Sequence, residues 1–121
     1  MSAPAWIAVG LLGGLAAAAR FLLDAAISAR LRGRFPLGIL AVNLSGSFAL
    51  GVVAGAGLGG EALAIVAGGA IGSFTTFSTW ILDSHRLAEA GETRLAGLDV
   101  AVSLLAGFAA VALGHWLGSL L

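Results

Sequence analysis

Gly72-Ser73-Phe74-Thr75-Thr76-Phe77-Ser78-Thr79-Trp80 carries five hydroxyls in seven positions, starting beside a glycine, inside a segment otherwise apolar enough to cross a bilayer. Hydrocarbon offers no hydrogen bonds. Polar side chains at that depth are costly unless they line a cavity or meet another protein surface. The hydroxyls of Thr75, Thr76, Ser78 and Thr79 have a purely structural use too, bonding back to carbonyls one turn earlier. Glycine and β-branched threonines together weaken a helix. A helix that breaks at mid-depth frees backbone carbonyls and amides of the kind that hold ions in membrane proteins. The run is therefore the expected seat of function, and the rest of the chain is the scaffold that places it.

The composition around it is that of an integral membrane protein. Of 121 residues, 60% are hydrophobic and 10% charged, with mean hydropathy +1.06. An ordinary soluble domain carries about 25% charged residues. The length, residues 1–121 as a single domain, accommodates about four spans of roughly 20 residues each. There is no cysteine, which excludes a disulfide framework and a thiolate metal site. The formal net charge of zero argues against nucleic-acid binding. All basic residues are arginine, and the 19 glycines suit close helix contacts. No secretory signal is expected, because the first apolar stretch lacks a basic leader and continues too far.

Four apolar segments separate, at about Pro4–Ile27, Leu37–Leu58, Glu61–Asp83 and Leu95–Leu120. Arg20 lies about 24 Å along the first at 1.5 Å per residue, near the far interface. There an arginine either snorkels or faces a water-filled vestibule, and Asp24, one turn on, is in reach of it. The second segment holds Asn43 and Ser47 on one helical face. The pairs Gly10/Gly14, Gly51/Gly55 and Gly68/Gly72 have the small-xxx-small spacing of tight helix contacts. A polar loop is expected over His85, Arg86, Glu89, Glu92 and Arg94, with His85 and His115 interfacial rather than ligands.

Arginine distribution predicts orientation. Arg30, Arg32, Arg34, Arg86 and Arg94 flank the connections after the first and third segments, whereas the opposite side has no Lys or Arg. The positive-inside rule puts both arginine connections in the cytoplasm and both termini outside. Phe77 and Trp80, three apart, share a face. They serve either packing or an anion, since the rim of an aromatic ring is positive. Asn43 has two amide donors and one acceptor. It either bonds a neighbouring helix or, with Ser47 and the threonine hydroxyls, makes a line of neutral donors suited to a small hydrated anion. No nucleophile–base arrangement or metal-spaced cluster supports catalysis.

Three stretches resemble the bacterial fluoride channel family (Fluc, also called CrcB): Gly13-Gly14-Leu15-Ala16-Ala17-Ala18-Ala19-Arg20-Phe21, the run from Phe35-Pro36 through Asn43-Leu44-Ser45-Gly46-Ser47-Phe48, and Gly72-Ser73-Phe74-Thr75-Thr76-Phe77-Ser78-Thr79. The resemblance covers the whole length. It implies an all-α membrane protein of four transmembrane helices with a broken third helix, assembled as an antiparallel dimer with two fluoride pores. It also implies a structural, untransported sodium ion held by backbone carbonyls, matched here to Gly72 and Thr75. Asn43 matches the pore asparagine, Phe77 and Trp80 the paired pore aromatics, Ser78 and Thr79 the polar track, and Arg20 the first-helix arginine. Two residues depart from the pattern. Trp80 stands where phenylalanine is usual and brings an N–H donor, and Ala17 replaces a glycine.

The function so implied is passive export of cytoplasmic fluoride, lowering its toxicity. The alternative from another class is a proton-coupled exporter similar to the small multidrug resistance transporters. It needs a deep carboxylate in the first helix, where Asp24 lies too near the end. A non-transporting structural subunit is the third reading. The one-sided arginines also suggest a partner: one sequence inserting both ways favours balanced loops, so a heterodimer with a homologue of opposite orientation competes with a homodimer.

Overall fold

The computed structural model describes all 121 residues, Met1–Leu121. It is wholly helical, and four stretches are long and apolar enough to cross a membrane: Ala3–Arg30, Leu37–Gly55, Gly60–Glu89 and Thr93–Ser119. The first is helix α1 (Ala3–Arg30), opened by Ser2, whose hydroxyl accepts from the Ala5 N–H, and by Pro4, whose missing N–H costs nothing there. The second is α2 (Leu37–Gly55), entered from Pro36. It stops where Gly57 takes a left-handed φ of 78°. There Leu58 N–H reaches the Val53 carbonyl and Gly57 N–H the Ala54 carbonyl, a glycine-capped helix end.

The third crossing is composite. A short α3 (Gly60–Leu63) runs into a wider π-helical stretch (Ala64–Ile71) and then α4 (Gly72–Phe74). Thr75 is extended, with φ −80° and ψ 158°, and α5 (Ser78–Glu89) follows. The fourth crossing is α6 (Thr93–Ser119). The polar loop expected over 85–94 is thus mostly helix, since His85, Arg86 and Glu89 belong to α5 and Arg94 to α6. Only Ala90–Glu92 connect them, with Gly91 at φ 81° capping α5 as Gly57 caps α2. Charged residues on a helix end leaving the membrane keep their backbone bonds and point outward, so charge alone does not mark a loop.

Glycines decide which crossings touch. α2 packs most extensively on α6. A Cβ at Gly51 or Gly55 would overlap the Val111 and His115 carbonyls, and one at Gly114 or Gly118 would overlap those of Phe48 and Val52. Backbone meets backbone with no side chain between, which is how helices gain contact where lipid supplies no hydrophobic drive. The other two glycine pairs do not act as their spacing suggests. Gly10, Gly14 and Gly68 have open space beside them, and Gly72 lies only near the Ala67 carbonyl of its own span. Their neighbours take the role: Gly13 admits the Ser73 hydroxyl and Gly69 the backbone of Val9. The spacing was right in period and wrong in phase.

The connections pair up at the two ends of the bundle. Ser2 is held through its N–H and hydroxyl by the Glu61 carboxylate, and Arg34 pairs with Glu92. The second contact ties the α1–α2 connection to the α5–α6 connection, so the arginine-bearing loops lie side by side. Asp24 does not pair with Arg20. It accepts from the Ser28 hydroxyl at 3.2 Å and sits against Gly38.

Candidate functional site

Thr76, in the non-helical stretch between α4 and α5, has both its backbone groups held by a single side chain. Asn43 on α2 donates its amide N–H to the Thr76 carbonyl and accepts the Thr76 N–H, both at 2.8 Å. One carboxamide thus satisfies both backbone groups of a residue that is not in a helix, the requirement for irregular backbone at membrane depth. Gly46, one turn beyond on α2, makes the approach possible, because a Cβ there would overlap the Thr75 methyl group.

Thr76 organises the restart of the helix. Its hydroxyl accepts the Thr79 N–H at 3.2 Å and lies 3.2 Å from the Thr79 hydroxyl. This covers one of the amides left open at the start of α5. The consequence falls on two carbonyls. In a continuous helix the Gly72 carbonyl would accept from Thr76 N–H and the Thr75 carbonyl from Thr79 N–H. Those amides go to Asn43 and to the Thr76 hydroxyl instead. Gly72 and Thr75 therefore lack their helical donors. Thr75 itself bonds back, its N–H and its hydroxyl both reaching the Ile71 carbonyl, at 3.0 and 3.1 Å.

Beside this junction lies an open groove of about 340 Å³. Asn43 and Ser47 line it from α2, Thr75, Thr76 and Phe77 from the junction, Trp80 from α5, and Ser103 from α6. Asn43, Ser47, Phe77 and Trp80 thus come together as the sequence suggests. Ser78 and Thr79 do not line it: Thr79 bonds Thr76, and Ser78 lies 3.5 Å from the Thr76 hydroxyl. Arg20 is on α1, apart from the groove residues, with its Nε enclosed and without a hydrogen-bond partner.

The two aromatics differ. Phe77 is 71% exposed at the groove mouth, whereas Trp80 is buried. Their rings meet edge to face, centroids 5.4 Å apart and planes at 86°, a favoured geometry for ring quadrupoles. The indole N–H introduced by tryptophan points away from any groove ligand, donating to the Asp99 carbonyl at 3.4 Å. Asp99, to which the sequence alone assigns no role, is 1% exposed and binds Ser84 and Ser103. Its only signal is an acid placed four residues before a serine in an apolar segment.

A family model described as CrcB-like protein, Camphor Resistance (CrcB), matches residues 7–115. The chain belongs to the CrcB family. Named relatives agree with it. The fluoride-specific ion channel FluC 2 of Mycobacterium tuberculosis is 38% identical over 115 residues, covering 95% of this chain and 91% of the relative. FluC 2 of Mycolicibacterium paratuberculosis is 40% identical over 115 residues, covering 95% and 94%. FluC 1 of Symbiobacterium thermophilum is 41% identical over 119 residues, covering 93% and 96%. These CrcB relatives are named as ion channels and not as enzymes, and a multi-pass membrane protein is what the four apolar crossings make of this chain.

Proposed function

We propose that this CrcB-family chain is a subunit of a fluoride-selective channel through which cytoplasmic fluoride leaves down its electrochemical gradient, limiting its toxicity. The observation that carries the reading is the Asn43 clamp on Thr76 beside an open groove lined by the donors of Asn43 and Ser47 and by the aromatic rings of Phe77 and Trp80. Such a wall offers partial positive charge without a full cation, so a dehydrated anion is held and still released. Asn43 keeps one amide hydrogen beyond the clamp and Ser47 keeps its hydroxyl for the ion. Ser78, Thr79 and Arg20 extend the path beyond the groove in this reading.

The broken third helix serves a second ion. The Gly72 and Thr75 carbonyls, relieved of their amide donors, suit a hard cation such as sodium, which backbone carbonyls at helix breaks hold in membrane proteins. A bound sodium there supplies fixed positive charge and rigidity and takes no part in transport. The open groove and the uncovered Phe77 ring fit closure by a second subunit running antiparallel. The arginines of the two connections, all on one side, favour a homologue of opposite orientation as that partner, with both termini of this chain outside. The numbered names FluC 1 and FluC 2 fit such pairing. A C-terminal tag found equally on both membrane faces would remove the heterodimer and leave the homodimer.

Purified protein in liposomes tests the function, reconstituted alone and with any co-encoded homologue. Fluoride efflux is expected without comparable chloride efflux, and a tight, impermeable preparation of assembled protein ends the proposal. Asn43→Asp is near-isosteric, but it replaces the amide donor with a carboxylate facing an anion path. It loses the bond to the Thr76 carbonyl and is expected to slow flux by at least about a hundredfold, the effect of about 3 kcal/mol.

A further inference from the structure

Behind the groove lies a buried polar node that the channel reading leaves unused. Trp80 and Ser84 are one turn apart on α5 and face the same residue of α6. The Trp80 indole donates to the Asp99 main-chain carbonyl at 3.4 Å, and the Ser84 hydroxyl donates to Asp99 Oδ2 at 2.5 Å. From within α6 the Ser103 hydroxyl donates to Asp99 Oδ1 at 3.3 Å. Each carboxyl oxygen therefore takes one hydroxyl, and Asp99, Ser84 and Trp80 are all buried. Trp80 in turn sets Phe77 through the edge-to-face contact. Trp80, Phe77 and Ser103 line the groove, whereas Asp99 and Ser84 stand behind it.

Two effects follow from donor accounting. A serine hydroxyl has one proton, and that of Ser103 goes to Asp99, so Ser103 shows the groove only lone pairs. The indole N–H is likewise committed. The α5–α6 wall is thereby stripped of side-chain donors and left aromatic and aliphatic, with Trp80, Leu104, Phe108 and Val111, while Asn43 and Ser47 supply donors from α2. A wall with donors on one side only rewards a small ion that can press against them. Freed donors on the other side would accommodate a larger one.

We propose that Asp99 is a positioning residue: by binding Ser84 and Ser103 it fixes the Trp80–Phe77 wall, keeps the Ser103 proton out of the groove, and so sets discrimination between small and large halides. The selectivity clause rests on the channel reading. The clasp itself does not, and the test separates them. Trp80 is made the only indole by W6F and W116F, both sites being exposed. In that full-length background S84A and D99N are expected to red-shift Trp80 emission and raise its quenching by iodide. In liposomes both are expected to lower the fluoride-to-chloride flux ratio, D99N by about tenfold, the worth of about one hydrogen bond. Adding S103A to D99N is expected to restore part of that ratio, which a merely structural defect would not allow. Unchanged Trp80 emission and quenching in S84A overturns the clasp, even where D99N folds poorly. A changed emission with an unchanged flux ratio overturns the selectivity role. Absence of fluoride flux in the parent protein overturns the channel reading and leaves the fluorescence result standing.

Discussion

Residues 60–74 and residues 78–89 make one membrane crossing from two dissimilar pieces. The first is almost wholly apolar, includes the π-helical stretch, and leans on α1, with Gly13 and Gly69 allowing close approach. The second is amphipathic, carries Asp83, Ser84, His85, Arg86 and Glu89, and leans on α6. A single straight helix would have to serve both neighbours. The chain changes partner at 75–77 instead, and the cost of leaving the helix there is met by Asn43 and the Thr76 hydroxyl. The lesson is that the interruption is not weak helix left unrepaired. It is a specified junction, with the Thr76 and Thr79 amides each assigned a new acceptor.

The largest effect is expected from closing the space into which the junction fits. Gly46→Val puts a branched side chain where even a Cβ overlaps the Thr75 methyl. Thr75 cannot rotate away freely, because its hydroxyl is bonded to the Ile71 carbonyl. Overpacking costs about 1–3 kcal/mol, and here it also pulls Thr76 from Asn43. The expected outcome is loss of fluoride flux and a lower midpoint of thermal unfolding in detergent. A variant with ordinary flux would show that the junction tolerates displacement from α2 and that the two halves are not set by this contact.

Much of this was legible in the sequence, but not all. Apolar runs separated by arginines, proline and glycine read directly as four crossings, because hydrocarbon thickness sets a minimum length. The hydroxyl run and Asn43 stand out by residue type in an apolar background. Their contact does not, since the two lie 33 positions apart and a carboxamide can serve an ion or a backbone equally well. Helical periodicity gives the glycine spacing, but its phase holds only for Gly51 and Gly55; between α1 and the third crossing Gly13 and Gly69, not Gly10, Gly14 and Gly68, make the close approach. Asp99 is not legible in the sequence, because a lone acid in an apolar segment announces nothing about its partners, Ser84 and Trp80, which arrive from another helix.

The smallest effects come from the two threonines at the junction, and they separate its two sides. Thr76→Val keeps shape and keeps the backbone bonds to Asn43, but it removes the hydroxyl that accepts Thr79 N–H at the start of α5. Loss of such a cap costs about 1 kcal/mol, with a several-fold fall in flux expected as α5 frays beside the groove. Thr75→Val removes a hydroxyl whose acceptor, the Ile71 carbonyl, still receives the Thr75 N–H. No buried group is orphaned, so the change is expected to stay under about 0.5 kcal/mol. Unfolding midpoints and flux measured side by side give the order. If the Thr75 variant proved the more damaged, the junction would be held from its α4 side and not by the capped restart of α5, and the contrast between the halves would have to be redrawn around Ile71.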